Sequence, residues 1–214
     1  MFPDLTRDDV FRLETRRLWL RWPRLADVQA IVRLAGEKAV AEMTALVPHP
    51  YSEGDAERFV FEARRTNAEG NGLTLAVTPK GRPNAVIGAV GIVPDPGAGE
   101  PHLGYWIGSP FWSQGHATEA ARALVDALFS YTPARELISS ARVINPPSRR
   151  VLEKCGFAHE GSGLLPFPAR GGVFPVEHFR LDRRMWQSLK SWSHTGYVPQ
   201  GPATNGSELA QALQ

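Results

Sequence analysis

The sequence contains little cysteine and no strong excess of charge. Its single cysteine, Cys155, forms no internal disulfide, and no His and Cys spacing typical of zinc is present, so we expect no bound metal. The formal net charge is +2, and basic residues are mixed with acidic ones, as where Arg64 and Arg65 lie between Glu62 and Glu69. Such mixing disfavours nucleic-acid binding, which needs a clustered basic surface.

Long apolar runs are missing too. No stretch approaches the roughly 20 apolar residues of a membrane-spanning helix. The N-terminal segment from Met1 to Asp9 lacks the basic and apolar regions of a signal peptide. We therefore expect a cytoplasmic protein with no membrane partner. The chain also has no Gly-Lys-Ser/Thr sequence to hold a triphosphate with magnesium, which sets aside a nucleotide-triphosphate enzyme.

What remains has the composition of a globular protein. The 214 residues are 43% hydrophobic and 21% charged, which is typical of a chain that buries a sizeable core. We predict one domain over residues 1–192. Residues 193–214 are polar and contain several Gly and Pro residues, which predicts a flexible C-terminal tail.

The most informative stretch runs from Trp112 to Ala120 and joins a predicted strand to a predicted helix. Apolar residues recur at helical spacing from Ala117 to Phe129. The first amides of a helix have no partner within it and carry its positive dipole end, so a pyrophosphate can bind there. Gly115 and Ala117 leave the approach to those amides open. Many α/β crossovers share this pattern without a ligand, so a second feature is needed.

That second feature follows the helix. Residues Glu136 to Ile144 have the pattern of a strand, and a short helix then begins at Asn145-Pro146-Pro147-Ser148, with Asn145 a good N-cap. The helix ends at Lys154-Cys155-Gly156-Phe157. The chain therefore presents, in order, a strand, a phosphate turn, a helix, a second strand and an Asn-capped helix.

This order of motifs resembles the GNAT superfamily of acyl-CoA-dependent N-acyltransferases, and within it the RimJ/RimL-like branch. The likeness extends over about residues 13–187. It implies an α/β (α+β) fold, in which a mixed, mostly antiparallel twisted sheet of about seven strands is flanked by about four helices and splayed in the middle for acyl-CoA. The residues that carry the likeness are Gly104-Tyr105-Trp106, Gly115-His116-Ala117-Thr118-Glu119-Ala120, Asn145, Ser148, Leu152, Lys154, Gly156 and Phe157.

Periodicity gives the expected elements along the chain. Alternating apolar residues predict strands near residues 18–22, 73–77, 85–93, 101–107, 136–144, 159–164 and 176–181, with a Pro- and Gly-rich loop at 165–175. Helical spacing predicts helices after Leu25, after a capping box at Ser52, from Ala117 and from Pro146.

The resemblance implies transfer of an acetyl group from acetyl-CoA, the co-substrate, to a primary amine by direct attack and without a metal. The pantetheine arm would lie beside the strand that contains Tyr105. The residues that the resemblance places at the cofactor are Trp106, Ile107, Gly108, Gln114, Gly115, His116, Ala117, Thr118, Asn145 and Ser148.

Three positions depart from the family pattern. Trp112 stands where the family has Arg or Gln, and Ser113 stands where it has the first Gly of its phosphate turn. Many GNAT enzymes use a Tyr on the helix after the Asn to protonate the leaving thiolate, and that position holds Leu152. Ser148 is the nearest replacement, and its alternative role is a helix Ser that bonds its own backbone.

Two residues are candidates for the base that removes the amine proton. His102 lies where relatives often carry Glu, and an imidazole with an ordinary pKa near 6.5 accepts a proton at neutral pH. Glu100 is the second candidate. The sequence does not separate them, and His102 is equally consistent with a half-exposed strand residue beside a loop.

The sequence leaves the acceptor and the oligomeric state open. The amine belongs to a protein N-terminus or to a small molecule, and a non-catalytic CoA-binding or regulatory module with the same fold is the alternative function. A homodimer is possible, because Phe167 and Phe174 in the predicted last loop either serve an interface or fold back onto the domain.

Overall fold

The protein is described from a computed structural model, which covers residues 1–95, 97 and 99–194. An eight-stranded sheet in the order β1-β2-β3-β4-β5-β6-β8-β7 forms its centre. The strands are β1 (Arg12–Glu14), β2 (Leu18–Arg21), β3 (Leu73–Pro79), β4 (Gly88–Pro94), β5 (Pro101–Ile107), β6 (Glu136–Arg142), β7 (Ala158–Phe167) and β8 (Gly172–Asp182). The helices are α1 (Val28–Ala35), α2 (Lys38–Ala41), α3 (Glu53–Glu69), α4 (His116–Tyr131), α5 (Pro146–Lys154) and α6 (Arg183–His194).

The predicted mixed, mostly antiparallel sheet is confirmed. Every neighbouring pair is antiparallel except β5 and β6, which are parallel and joined through α4. The sheet has one strand more than expected, because β1 is only three residues long and too short for an alternating pattern to mark it. Two of the six helices, α2 and α6, were also not expected.

Apolar side chains are buried on both faces of the sheet. The larger cluster packs α4 and α5 against one face and includes Leu103, Leu124 and Phe179. A smaller cluster packs α1 and α3 against β3 and β4 on the opposite face and includes Ile31 and Val60. The two faces of β5 are therefore distinct, because alternate residues of a strand point to opposite faces.

The sheet opens in the middle, as the sequence led us to expect. The parallel strands β5 and β6 pair only at His102 and Ile138, near the start of each strand. Beyond this point the two strands diverge toward Ile107 and Arg142, where α4 and α5 are about to begin. The gap between β5 and β6 is referred to below as the cleft.

The predicted loop at residues 165–175 is wrong. Strands β7 and β8 continue through this region and pair down to Phe167 and Gly172, around a short 3-10 turn at Pro168–Arg170. Proline is tolerated here because β7 is an edge strand and Pro175 lies beyond the part of β8 that pairs with β6. Phe167 is only 5% exposed and its ring lies 5.5 Å from that of Phe174, so it folds back onto the domain, which is the second of the two alternatives left open by the sequence.

The structure describes only the first two residues of the predicted C-terminal tail. Ser193 and His194, assigned to the tail, belong to α6. The remaining tail residues, 195–214, lie outside the described residues. Within the part of the chain that the structure covers, no helix has both the length and the apolar character needed to cross a membrane.

One buried ion pair anchors β2 to the start of α1. The guanidinium of Arg21 contacts both carboxylate oxygens of Asp27 at 2.8 Å, and both side chains are less than a tenth exposed. Arg21 also donates to the carbonyls of Trp22 and Pro83, and the amide of Arg24 donates to Asp27. The pair is therefore fully hydrogen-bonded, which is the condition under which a buried charge is tolerated.

We expect Asp27→Ala to lower the free energy of unfolding by about 3–5 kcal/mol, because it leaves the Arg21 guanidinium buried without a counter-charge. Urea denaturation followed by circular dichroism measures the change. Asp9→Ala removes the exposed partner of Arg64 and serves as the control, for which a much smaller change is expected. Equal losses in the two variants would contradict a special role for the buried pair.

Candidate active site

The turn before α4 has the backbone geometry of an anion site. Gly115 is the N-cap of α4 and adopts a left-handed conformation with φ of 79°. Ser113 is the non-glycine residue with positive φ, at 60°, so it takes the conformation that a glycine would supply more easily. A left-handed conformation is therefore present at the position where the family pattern has a glycine. The amides from Gly115 to Thr118 begin the helix, where unpaired N–H groups favour a negative charge.

The side chains of the turn bond mainly to one another. Gln114 donates to the carbonyl of Pro110 and lies 3.2 Å from Nε2 of His116. Nδ1 of His116 is buried and has no hydrogen-bond partner among the described residues. Burial and the nearby Arg17 guanidinium lower the pKa of His116, so its imidazole is neutral at pH 7. The indole of Trp112 donates to the carbonyl of Ile107 and closes the turn against the end of β5.

Glu119 fixes the start of α4 to the turn between β1 and β2. Its carboxylate accepts from the Thr15 hydroxyl at 2.7 Å, from the Arg17 amide at 2.8 Å and from Nε of Arg17 at 2.7 Å. Burial alone would raise the pKa of Glu119, but these hydrogen bonds and the Arg17 charge lower it overall. Glu119 therefore has a structural role, which agrees with its place in the first turn of α4.

The backbone of β5 divides its hydrogen bonds between β4 and the cleft. The amide of Gly108 donates to Ile87, and the amide of Asp95 donates to Glu100, which fixes the even-numbered residues of β5 as those bonded to β4. The backbone groups of the odd-numbered residues therefore point toward β6. The carbonyl of Leu103 accepts from the Ser139 hydroxyl at 2.8 Å. Tyr105 lies next along the strand, where the cleft has opened, so its amide and carbonyl face the cleft.

On the α5 side of the sheet, two hydroxyl groups meet across the cleft. The phenol oxygen of Tyr105 lies 2.9 Å from Oγ of Ser148 and donates to the Ser148 carbonyl at 3.1 Å. Asn145 caps α5 as predicted, because its side chain accepts from the Ser148 amide at 3.2 Å. Leu152, in the position of the family's tyrosine, is fully buried in the core. Tyr105 thus brings a phenol to the same end of α5 from a different element.

His102 lies on the opposite face of β5 from Tyr105. Strand alternation places it on the same face as Trp106, which packs against the α1 and α3 cluster. Burial lowers the pKa of His102, and the Asp95 carboxylate raises it by less. The imidazole is therefore neutral at pH 7 and able to accept a proton. Its position in the sheet is the pairing point between β5 and β6, at the closed end of the cleft.

Glu100, the second base candidate, belongs to a cluster of charges. Arg180 contacts three carboxylates, with Glu136 at 2.7 Å, Glu160 at 2.8 Å and Glu100 at 3.4 Å. The Arg180 guanidinium holds the pKa of Glu136 below its usual value. Glu100 is therefore engaged in an ion pair, whereas His102 is the neutral group of the two candidates.

The loop after α2 and the turn between β7 and β8 contact each other near the end of β6. The loop after α2 receives hydrogen bonds from the β7–β8 turn, where the amide of Ala169 donates to Ala45 and the guanidinium of Arg170 donates to Ala41 and Val47. Arg142, at the end of β6, donates to the Glu42 carbonyl at 2.7 Å. These contacts bring together parts of the chain that are at least 100 residues apart.

Two residues of the same loop, His49 and Tyr51, differ in their surroundings. Tyr51 packs against the α1 and α3 cluster, and burial raises its pKa to about 12. His49 is exposed, with Nδ1 2.8 Å from the Gly36 carbonyl, and precedes a cis proline. Tyr51 therefore helps to fix the loop, and His49 lies on its surface.

A surface cavity of about 750 Å³ adjoins the phosphate turn. It runs along the exposed side of α4, from Gly115 and Thr118 at one end to Tyr131 at the other. Its lining includes five basic side chains, Arg16, Arg17, Arg122, Lys154 and Lys190. Cys155 lies nearby but is buried, and burial raises its pKa to about 12, so it has the packing role expected from the sequence.

Neither the Tyr105 hydroxyl nor the Arg142 guanidinium was predicted from the sequence to be part of the site. The Gly-Tyr-Trp motif drew attention to the backbone of this strand rather than to the Tyr105 side chain. Arg142 was hidden because its partners, Glu42 and the rings of Phe167 and Phe174, come from distant segments. No sequence pattern signals contacts of that separation.

Comparison with known proteins settles the family. Residues 17–158, which include the cleft, the phosphate turn and α5, match the family described as "Acetyltransferase (GNAT) domain". The chain belongs to the GNAT acetyltransferase family. An uncharacterized N-acetyltransferase of Bacillus licheniformis, p20, is 25% identical over 173 residues, which cover 80% of this chain and 96% of that relative.

Solved structures include RimJ and RimL among the neighbours of this fold. Mycobacterium smegmatis RimJ, in complex with CoA-disulfide, superposes with a TM-score of 0.71 at 19% identity, covering 90% of this chain and 98% of that one. RimL, described as a ribosomal L7/L12 alpha-N-protein acetyltransferase in complex with coenzyme A, gives a TM-score of 0.68 at 19% identity, covering 80% and 98%. The resemblance inferred from the motifs is therefore confirmed at the level of the fold.

The Glu119 contacts lead to a pH-dependent prediction for stability. A carboxylate whose pKa is lowered in the folded state stabilises the protein above its unfolded pKa of about 4.3 and loses that contribution as the pH falls through the folded value. We expect Glu119→Gln to lower the free energy of unfolding by about 2 kcal/mol at pH 7. The difference from the unsubstituted protein should shrink as the pH falls below about 4.

Urea denaturation between pH 3 and pH 7 measures this difference. Glu62→Gln, which alters an exposed partner of Arg65, is the matched control and should show no comparable pH-dependent difference. A Glu119→Gln effect of the same size at both ends of the pH range would contradict the account.

Proposed function

We propose that this protein transfers an acetyl group from acetyl-CoA to a primary amine in the cytoplasm, by direct attack of the neutral amine. The observation that carries the proposal is the cleft between β5 and β6, which opens directly onto the N-terminus of α4. An extended arm with a phosphate at one end fits this combination. Acetyl-CoA would supply the activated thioester, and the chain would bind it, orient it and move the protons.

The residues present suit the cofactor. Gly115 has no side chain over the first amides of α4, so these amides are open to a pyrophosphate. The backbone of Tyr105 faces the cleft, where an amide-containing arm can pair with it. The cavity beside Gly115 and Thr118, which five basic and three acidic side chains line, offers cations to the phosphorylated nucleotide end of CoA. Asn145 and Ser148 lie at the start of α5, on the far side of the cleft.

The two proton-transfer groups lie on opposite faces of the sheet at the cleft. His102 is neutral and would take the amine proton on the acceptor face, directly or through water. Ser148 would give a proton to the leaving sulfur on the α5 face. Glu100 is the alternative base, but its ion pair with Arg180 opposes a change in its charge.

We propose a protein N-terminal amine as the first acceptor to test, with small-molecule amines as the second class. RimL is described as an alpha-N-protein acetyltransferase, which supports the first class. A homodimer is compatible with either class.

Calorimetric titration with acetyl-CoA tests the cofactor site. We expect saturable binding by the unsubstituted protein and loss of binding in Gly115→Glu, because the added carboxylate would stand at the amides that receive the phosphates and adopt a strained positive φ. CoA, dephospho-CoA and ATP serve as comparison ligands. Gly81→Glu, in an open surface turn, is the matched control and should bind as the unsubstituted protein does.

Absence of acetyl-CoA binding by the unsubstituted protein would contradict the proposal at its first step. Binding without acetylation of any amine in a panel of N-terminal peptides, polyamines and aminoglycosides would favour a non-catalytic CoA-binding or regulatory module. The departures at Trp112, Ser113 and Leu152 are the reason for keeping that outcome in the design.

The pH dependence of acetylation shows whether His102 or Glu100 is the base. We expect His102→Ala to lower kcat/KM by about 10²- to 10⁴-fold, and Glu100→Gln to retain most activity. In the unsubstituted protein, kcat/KM should rise with pH through a value below 6.5, because burial lowers the pKa of His102. A large loss in Glu100→Gln together with an active His102→Ala variant would assign the base to Glu100 instead.

A further inference from the structure

The contact between Tyr105 and Ser148 spans the cleft at the place where the cofactor sulfur would leave. Tyr105 belongs to β5 on one side, and Ser148 belongs to α5, which follows β6 on the other side. Their oxygens are 2.9 Å apart. Both side chains are partly buried, so the contact is sheltered but reachable from the cleft.

Hydrogen-bond directions determine what this contact does. A serine hydroxyl has one proton to donate and can accept further bonds. The phenol of Tyr105 approaches both the carbonyl and Oγ of Ser148. When the phenol donates to Oγ, the proton of Ser148 is left free for a third partner in the cleft. Burial raises the pKa of Tyr105 far above its usual value, so the phenol keeps its proton throughout the neutral range.

We propose that Tyr105 is a positioning residue that directs the Ser148 proton to the leaving sulfur of CoA. This inference rests on the proposed function. In this proposal Tyr105 provides the phenol that α5 lacks, because Leu152, at the position where many family members have a tyrosine, is buried in the core. Tyr105 acts through Ser148 and need not touch the sulfur itself.

The proton transfers balance in the following way. The new bond joins the amine nitrogen to the acetyl carbon, and the bond between that carbon and the sulfur breaks. The amine loses one proton to the base on the acceptor face. The sulfur gains one proton from Ser148, and Tyr105 keeps its own proton. After the products leave, the base releases the amine proton to solvent and solvent returns a proton to Ser148.

The test measures the thiol pKa of bound CoA, so it needs no knowledge of the acceptor. A hydroxyl that donates to the sulfur favours the thiolate and lowers the pKa of the bound thiol. The thiolate is followed by its ultraviolet absorbance as the pH rises, with the CoA-free protein as the reference for tyrosine ionisation. Cys155, which also faces Tyr105, stays protonated over most of the titration because burial raises its pKa to about 12.

The variants are Tyr105→Phe, Ser148→Ala and the double variant. In the unsubstituted complex, the thiol pKa should lie below that of free CoA. Tyr105→Phe should raise it by about one unit, Ser148→Ala should raise it by at least as much, and the double variant should match Ser148→Ala alone. Tyr51→Phe, which removes a phenol oxygen from the loop after α2, is the matched control and should leave the thiol pKa unchanged. The affinity for CoA below the thiol pKa should be equal in the unsubstituted protein and in Tyr51→Phe.

Three results would overturn the inference. The first is an unchanged thiol pKa in Tyr105→Phe when Ser148→Ala raises it, and the second is a full Tyr105→Phe effect in the absence of Ser148. The third is an unchanged thiol pKa in both variants, which also removes Ser148 as the donor. Failure of the proposed function is distinct, because the unsubstituted protein would then not bind CoA at all.

Once an acceptor is found, steady-state kinetics give a second measurement. Tyr105→Phe should lower kcat by about tenfold and leave KM for acetyl-CoA unchanged, because the contact matters when the sulfur leaves and not when the cofactor binds. An increase in KM with kcat unchanged would contradict a positioning role and indicate a purely structural one.

Discussion

The structure depends on the divergence of two parallel strands that pair at one point. Because β5 and β6 meet only at His102 and Ile138, the backbone of β5 beyond that point lacks a neighbouring strand. Unpaired backbone groups inside a fold are costly, so such an opening persists only where surrounding contacts enforce it or a ligand uses it. Here α4 and α5 pack against the same face of the sheet and hold the strands apart. The cleft is therefore built by the core and positions the chemistry on either side of it.

Side-chain contacts across the cleft replace the missing strand pairing at both ends. At the closed end, Ser139 bonds the Leu103 carbonyl, and further along Tyr105 bonds Ser148. At the end of β6, the Arg142 guanidinium donates to the Glu42 carbonyl. Each of these contacts joins segments distant in the chain, so the cleft keeps its width without backbone pairing. This arrangement leaves room for an extended ligand and fixes the groups that face it.

Much of the fold could be predicted from local sequence patterns. The same holds for those features of the site that depend only on residues close in sequence. The bounds of β5, the capping box at Ser52 and the Asn145 cap were predictable because each depends on residues within a few positions. The strands 159–164 and 176–181 were predicted, but the outer part of the β7–β8 hairpin was missed because Pro and Gly dominate its local sequence, whereas its pairing depends on its place at the sheet edge. The partners of Tyr105 and Arg142 were missed for the same reason, since they come from other elements.

The three departures from the family pattern each have a counterpart in the structure. Ser113 adopts a left-handed conformation at the position of the family's glycine, at a strain of about 1 kcal/mol. Trp112 replaces a polar side chain but uses its indole to bond the end of β5. Leu152 fills the core where a tyrosine is expected, and a phenol reaches α5 from β5 instead. A left-handed backbone at Ser113 and a hydroxyl near the start of α5 are thus provided by residues other than those of the family pattern. Geometry at the cleft is therefore a better guide to this site than residue identity at any one motif position.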